Sequence, residues 1–235
     1  MIGSVVYGTR HIDFVVERRP RQTLDISVSP DGLVTVVAPL LSTSDEIAAR
    51  VTRRGRWIVE QQRYFAQFRP RTTPRLWVPG ETHLFLGRQH RLRIGEKSAP
   101  KAVHRSRGVL TVDGVSFDDT ATLEQSMVQW YRKEAREVFE ARLDAVLPLF
   151  GGLHVSPTSI VVRTMSSRWA SMSPAGRLSL NPLLVRARPQ DIDYVLVHEL
   201  AHRLEPHHGP SFWALLDQVM PDHAARKARL ERMLA

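Results

Sequence analysis

Four histidines and two glutamates fall within eleven residues late in the sequence. The segment reads His198-Glu199-Leu200-Ala201-His202-Arg203-Leu204-Glu205-Pro206-His207-His208 and begins with the pattern H-E-x-x-H. Histidines four residues apart lie on the same face of a helix, so both imidazoles can reach one ion. A carboxylate beside the first histidine can serve as general base towards a metal-bound water. The pattern predicts a metal-dependent hydrolase with His198 and His202 as ligands and Glu199 as the catalytic base.

A third ligand is expected where the chain turns back after this helix. Pro206 ends the helix, and His207 and His208 follow it. We favour His208 as the ligand and keep His207 as the alternative, or as a substrate contact; Glu205 is a weaker candidate. Three imidazoles with one open position suit Zn²⁺ or another late first-row divalent ion, whereas Mg²⁺ and Ca²⁺ prefer oxygen ligands.

The competing interpretation is a histidine-rich helix that binds no metal, or only a structural ion. An H-E-x-x-H pattern arises by chance roughly 0.02 times in a chain of this length and composition. A structural site does not need the adjacent Glu199 and more often uses cysteine. We therefore favour a catalytic site.

The composition excludes several other chemistries. The chain has 235 residues and no cysteine, which removes disulfides, cysteine-ligated zinc, iron–sulfur clusters and thiol catalysis. No stretch has the length and apolarity of a signal peptide or a membrane helix. We therefore expect a soluble, cytoplasmic protein with no membrane partner.

The chain is basic, with 33 lysines and arginines against 24 acidic residues and a formal net charge of +9. Such a surface permits binding to nucleic acid or phosphate. The arginines are spread along the chain and not gathered in one tract, however, so we favour a general coding bias towards arginine as their explanation. Nucleic acid is kept as a possible partner with little support.

The elements before the histidine segment follow from periodicity and turn residues. Alternating apolar residues predict a hairpin of strands 24–28 and 33–38 around the turn Ser29-Pro30-Asp31-Gly32. The capping box at 43–46 predicts one long helix that ends before Pro70. A proline-rich loop over 69–80 precedes short strands at 82–86, 90–94 and 109–112.

A second long helix is predicted to open at Asp118-Asp119-Thr120. Strands at 159–165 and 178–180 flank a turn at 173–176, and the helix that carries the histidines begins near Gln190. A final helix begins near Ser211. The predicted fold is α+β: a β-rich N-terminal region over 1–117 with one long helix, and a metallohydrolase domain over 118–235 with a small sheet packed on the histidine helix.

The sequence resembles the YgjP-like family of zinc metallopeptidases, whose other relatives also carry H-E-x-x-H. The resemblance covers most of the chain and centres on the histidine segment and Phe212-Trp213. Downstream of this centre, Met220–Asp222 also matches the family. Upstream, the matching stretches are Val28–Gly32, Ala38-Pro39, the helix of Trp57, Ser167–Met172, Leu180-Asn181 and Asp193–Val195. The chain departs from the family pattern at Ala170, Met172 and His207, where the family usually has Gly, Cys and Asn.

The resemblance implies that His198, His202 and His208 are metal ligands and that Glu199 is the catalytic acid and base. It also implies a strand edge that pairs with an extended peptide or protein substrate. Two stretches are candidates for this edge, Arg168–Met172 and Leu178–Asn181. The predicted substrate-binding residues are Arg168, Trp169, Ala170, Ser171, Asn181 and His207.

Two other functions remain open at the level of sequence. A metal-dependent nucleotide phosphohydrolase would use the same ion and base, with arginines to hold phosphates. It predicts a closed cup of arginines from among Arg163, Arg168, Arg177 and Arg186, whereas a peptidase predicts an open groove lined by a strand. A basic nucleic-acid-associated protein with a vestigial metal site is the third possibility.

Overall fold

The computed structural model describes residues 2–29, 32–66, 75–165 and 168–234. Contacts divide the chain into two compact units, Met1–Thr72 and Thr73–Leu234. Each unit mixes helices with small sheets, which agrees with the predicted mixture of α and β structure. No helix in the described ranges combines the length and apolarity that crossing a membrane requires.

The first unit is a four-stranded sheet with two helices. Its elements are β1 (Ile2–Tyr7), β2 (Arg10–Arg19), β3 (Asp25–Val28), β4 (Val34–Pro39), α1 (Ser44–Arg53) and α2 (Gly55–Ala66). The strand order is β1-β2-β4-β3. Alternate β4 residues are buried, and Val34 and Val36 pack in one cluster with Ile47 and Ile58 of the helices. The antiparallel pairing of β3 with β4 confirms the predicted hairpin, although Pro30 and Asp31 of its turn lie outside the described residues.

The single long helix predicted after Thr43 is wrong, because the structure has two helices. Thr43 does cap α1 with the predicted capping box. At Arg54 the backbone leaves helical geometry, with φ −91° and ψ 3°. Gly55 then packs against the Tyr7 ring so closely that a Cβ there would lie 2.3 Å from a ring carbon. Gly55 thus opens α2 at a point where that helix packs closely against β1. The predicted end of the helix at Pro70 lies outside the described residues.

The second unit contains the remaining elements. Its strands are β5 (Thr82–Phe85), β6 (Arg88–Ile94), β7 (Ala102–Ser106), β8 (Val109–Asp113), β9 (Ser159–Val162), β10 (Ala170–Met172) and β11 (Arg177–Leu180). Its α-helices are α3 (Thr120–Val146), α4 (Pro189–Ala201), α5 (Pro210–Val219) and α6 (His223–Leu234). Short 3₁₀ helices span Leu147–Phe150 and Pro182–Arg186.

Two sheets of the second unit pack around α3. The first has the order β5-β6-β8-β7, and the second has the order β10-β11-β9. Helix α3 contacts β7 and β8 of the first sheet, β9 of the second, and α4. Leu92 and Leu110 of the first sheet therefore share a buried cluster with Leu123 and Met127 of α3.

The sheet β5–β8 belongs to the same compact unit as α3, which covers its apolar face, and the compact units divide between residues 72 and 73. The division into an N-terminal region over 1–117 and a metallohydrolase domain over 118–235 stays a prediction.

The start of α4 is tied to both neighbouring helices by ion pairs. Asp193 accepts a hydrogen bond of 2.7 Å from Arg142 Nε of α3, and Arg226 of α6 lies 3.8 Å from the same carboxylate. Asp191, which is fully buried, accepts two hydrogen bonds from Arg229 of α6. These contacts fix the direction of α4 and therefore the position of its C-terminal end.

Candidate metal centre

Three histidine side chains converge where α4 ends. His198 lies in the last turn of α4, and His202 follows its final residue with nearly helical angles, φ −64° and ψ −11°. The chain then turns back and brings His208 beside them. One ring nitrogen from each histidine lies within 4.8 Å of the other two, and Nε2 of His198 is 2.9 Å from Nε2 of His208. Among the described residues this is the one such cluster of three or more metal-binding side chains.

The turn after α4 orients His202. The backbone N–H groups of Leu204 and Glu205 both donate to the carbonyl of Ala201. This turn brings the Glu205 carbonyl oxygen to 3.1 Å from Nδ1 of His202. When Nδ1 carries the proton it donates to that carbonyl, which leaves Nε2 free to face the ion.

Phe212 of α5 packs against all three histidines. Its ring centroid lies 5.0 Å from that of His198, 4.7 Å from His202 and 4.8 Å from His208. Trp213 stacks on His208 with a centroid distance of 5.8 Å. Phe212 is fully buried, so it restricts the rotation of the imidazoles around it. These two aromatic residues pack against the loop that carries His208.

The environment favours the neutral form of His198 and of His208. Burial lowers the pKa of His198 to about 3, and the nearby His202 and His208 contribute further. Burial also lowers the pKa of His208, again with a contribution from His202. A neutral imidazole is the form that binds a metal. Three convergent nitrogen donors, one of them oriented by a backbone carbonyl, fit a divalent transition metal ion.

Glu199 is the acidic residue that lines this site. Burial raises the pKa of its carboxyl group, while His202, the Met172 backbone and Arg168 act in the opposite direction. Tyr194 lies one turn before His198, with its ring 5.9 Å away. Burial, followed by the charge of Glu199, raises the pKa of Tyr194 to about 12. Its hydroxyl therefore keeps its proton at neutral pH.

A cavity of about 670 Å³ opens over the cluster. One wall is the stretch from Arg168 to Pro174, and the other comes from α4 and the turn after it. The lining residues are Arg168, Ala170, Ser171, Met172, Ser173, Pro174, His198, Glu199, His202, Arg203, Pro206 and His208. Strand β10 pairs with β11 on one side and is the outer strand of its sheet, so the cavity has a strand edge in its wall.

The structure brings some of the predicted substrate-binding residues to this cavity and leaves others outside it. Arg168, Ala170 and Ser171 line it. His207 is exposed and absent from the lining. Trp169 faces an adjoining cavity of about 170 Å³, which also shares Ala170 and Glu199 with the first.

Asn181 makes hydrogen bonds within the protein, and its role as a substrate contact stays a prediction. It is buried, and its side-chain amide donates to the carbonyls of Met165 and Arg168. The candidate edge Leu178–Asn181 is wrong, because β11 pairs with β10 and with β9 and so lies in the middle of its sheet. Asn181 thus holds the chain that leads into β10.

The arginines do not form the cup that phosphate binding predicted. Of the four candidates, Arg168 lines the cavity. Arg186 lies over the Tyr131 ring at 5.1 Å from its centroid, and Arg163 and Arg177 are outside the lining. Arg203, which the sequence analysis did not select, lines the cavity instead. The position of Arg203 next to His202 was the one feature of the sequence that pointed to the cavity. The direction of its side chain, however, depends on the turn after α4.

Comparison with known proteins identifies the class as metal-dependent peptidases. The family model described as YgjP-like, metallopeptidase domain, matches residues 22–233. The chain therefore belongs to the YgjP-like metallopeptidase family, as its sequence motifs predicted.

Among solved structures, the chain is similar to one described as the metallopeptidase zymogen of Pyrococcus abyssi abylysin. The two are 24% identical, with a TM-score of 0.35, and the match covers 39% of this chain and 90% of that chain. No curated protein matches the sequence.

Proposed function

We propose that this chain is a zinc peptidase in which His198, His202 and His208 hold the ion and Glu199 is the general base. The observation that carries the proposal is the convergence of the three ring nitrogens beside Glu199, in a cavity walled by the edge of β10. Zinc prefers nitrogen donors and tolerates a site with an open position. The expected substrate is therefore a peptide or protein bound in an extended conformation.

When bound, zinc supplies a Lewis acid that polarises the scissile carbonyl and lowers the pKa of water in its coordination shell. Glu199 accepts a proton from the attacking water and then donates it to the leaving amine. The raised pKa of Glu199 suits both steps, because it brings the carboxyl group closer to the pH at which the enzyme works.

The exposed backbone of β10 positions the substrate. In the antiparallel pairing, Ser171 directs its backbone groups towards β11, so Ala170 and Met172 present their N–H and C=O groups along the cavity wall. An extended peptide that pairs with this edge lies across the metal centre, because β10 and α4 are in contact. Residues Arg168 and Ser171 then flank the bound chain.

The test compares wild type with Glu199→Gln and with Glu140→Gln, which alters an exposed glutamate of α3 outside the cavity. Each protein is purified without added metal, its bound ions are quantified, and it is assayed on casein-type peptides and on nucleoside triphosphates. We expect about one transition metal ion per chain in all three proteins. Peptides should be cleaved by wild type and Glu140→Gln, with a loss of at least about a hundredfold in Glu199→Gln.

Cleavage of nucleoside triphosphates alone would replace the peptidase proposal with phosphohydrolase chemistry at the same site. Equal peptide cleavage by Glu199→Gln and wild type would remove Glu199 from its role as base. The same experiment tests zinc as the ion. If another ion restored more activity than zinc to the metal-free protein, that ion would replace zinc in the proposal.

A further inference from the structure

The cavity over the histidines has an uneven distribution of charge. Two arginines line it, Arg168 and Arg203, and Glu199 is the one carboxylate in the lining. Arg168 lies just before β10, whereas Arg203 reaches the turn that follows β10, where it packs against Gly176. The two guanidinium groups therefore lie towards opposite ends of the strand edge. A peptide along this edge would pass both of them.

Packing holds the guanidinium group of Arg203 in place. A Cβ added to Gly176 would lie 2.9 Å from Nη1 and 3.1 Å from Cζ of Arg203, and 3.0 Å from Cγ2 of Thr158. Gly176 also has φ +83°, which glycine adopts without strain. The turn thus requires a glycine for its backbone and also uses the vacant Cβ position to receive the arginine.

The hydrogen-bonding capacity of Arg203 is largely unused within the described residues. No carboxylate there lies within 4.0 Å of its guanidinium group, and its buried Nε has no hydrogen-bond partner. By contrast, Arg142, Arg226 and Arg229 of the same unit all pair with aspartates. Because Nε itself is buried, a ligand in the cavity would be met by the terminal nitrogen atoms of the guanidinium group, which pair with no carboxylate of the described residues.

We propose that Arg203 binds a carboxylate of the substrate, either an acidic side chain or the terminal carboxylate of the peptide. The inference rests on the proposed peptidase function and extends it to a substrate class. A guanidinium group presents paired N–H donors that match a carboxylate, and its fixed orientation reduces the entropy lost on binding. Glu199 is the one carboxylate in the lining. The negative charge that pairs with Arg203 therefore has to come from the substrate.

The test measures binding separately from cleavage, using Glu199→Gln loaded with zinc. Three sets of fluorescently labelled nonapeptides share one neutral sequence. The first carries a single glutamate at successive positions and a C-terminal amide, the second carries glutamine and a free C-terminus, and the third carries glutamine and an amide. Fluorescence anisotropy gives the dissociation constants. We expect about tenfold tighter binding of the first or the second set than of the third, and the set that gains identifies the source of the carboxylate.

A further substitution, Arg203→Gln, should abolish this preference, so that the three sets bind this variant with similar dissociation constants. Arg203→Lys should keep a smaller part of it, because lysine retains the charge but not the paired donors. The matched control is Arg177→Gln, which alters an exposed arginine of β11 outside the cavity lining and should keep the full preference. Metal content and thermal unfolding establish that each variant is folded.

Equal or undetectable binding of all three sets would overturn the inference, as would a preference that survives in Arg203→Gln. Cleavage of the same peptides by wild type reports on the proposed function separately. If wild type cleaves all sets equally and binding shows no preference, the peptidase function stands and the role of Arg203 fails. If nothing is cleaved but the preference depends on Arg203, the carboxylate site stands and the peptidase function fails.

Discussion

Two groups of histidines lie in the second compact unit, and only one of them brings its ring nitrogens together. His83 and His90 are cross-strand partners in β5 and β6, and both are buried. The His83 ring stacks on Trp77, and the His90 ring meets the edge of Phe85. No third metal-binding side chain joins this pair among the described residues, in contrast to the three converging histidines after α4.

Burial alone does not separate the two groups. It lowers the pKa of His83 to about 4 and also lowers the pKa of His90, in the same direction as for His198. Among the residues that the structure describes, the ring nitrogens of His83 and His90 find no hydrogen-bond partner, although Nε2 of His83 lies 3.3 Å from a Glu81 carboxylate oxygen. The two groups differ in how the chain brings their rings together. The hairpin of β5 and β6 supplies two imidazole rings, whereas the turn after α4 adds a third ring to the two on the helix.

The largest expected effect is loss of metal from His208→Ala. A structural zinc site is worth about 10–16 kcal/mol, so one of three or four ligands accounts for several hundredfold in affinity. Competition with a chromophoric chelator measures this change. His207→Ala is the matched control and should alter the affinity by less than about threefold, since His207 lies outside the cavity lining. The reverse result would assign the third ligand to His207.

The other histidine group should affect stability without affecting metal. We expect His83→Ala to lower the free energy of unfolding by about 2 kcal/mol, because it leaves a cavity beside Trp77 in a buried position. Urea unfolding of the metal-free protein measures the loss. Zinc affinity should remain that of wild type. A matching drop in zinc affinity would mean that the two groups are coupled, and the comparison above would then fail.

The same pair predicts a pH dependence. The pKa of His83 is depressed in the folded state, so its contribution to stability is present above the unfolded pKa of about 6.5 and is lost as pH falls towards about 4. His83→Phe keeps an aromatic ring but cannot be protonated. Between pH 7.5 and pH 5.5, wild type should lose about 1 kcal/mol more than this variant, as measured by urea unfolding of both at each pH. Parallel curves would show that burial does not hold His83 neutral.

The smallest effect concerns the turn that completes the three-histidine group. Ser211 donates a hydrogen bond of 2.7 Å to the side chain of Glu205, whose carbonyl faces His202. Ser211→Ala removes a bond worth about 1 kcal/mol, so zinc affinity should fall about three- to fivefold. Ser126→Ala is the control, since that hydroxyl donates to the Thr122 carbonyl within α3. Equal zinc affinity in both variants would mean that the turn is rigid without this bond.

The convergence of the three histidines follows from the sequence more directly than the fold around it does. The spacing of His198 and His202 is a property of one helix, and Pro206 indicates the turn beyond it, so local rules are sufficient. The predicted helix after Thr43, in contrast, is interrupted at Arg54, and the next residue, Gly55, packs against Tyr7, which lies far away in sequence. Local periodicity contains no information about such a contact.

The same limit explains Asn181 and Arg203. Asn181 has the polar side chain expected of a substrate contact, yet it is used to hold the backbone at Met165 and Arg168. Arg203 looks like one of many dispersed arginines, and its access to the cavity depends on the turn that contains Gly176. Which polar side chains face a ligand is decided by tertiary packing, which a single sequence does not display.

The ion pairs between α4 and α6 have a consequence for the order of events during synthesis. All three histidines precede α6 in the chain, so they leave the ribosome before Arg226 and Arg229 do. Until those arginines arrive, Asp191 has no partner from α6, and the ion pairs at the start of α4 are reduced to the one with Arg142. A nascent chain therefore carries all three histidines before it has the arginines of α6 that tie down the start of α4. We expect α4, and with it His198, to reach its final position only after the last helix has emerged.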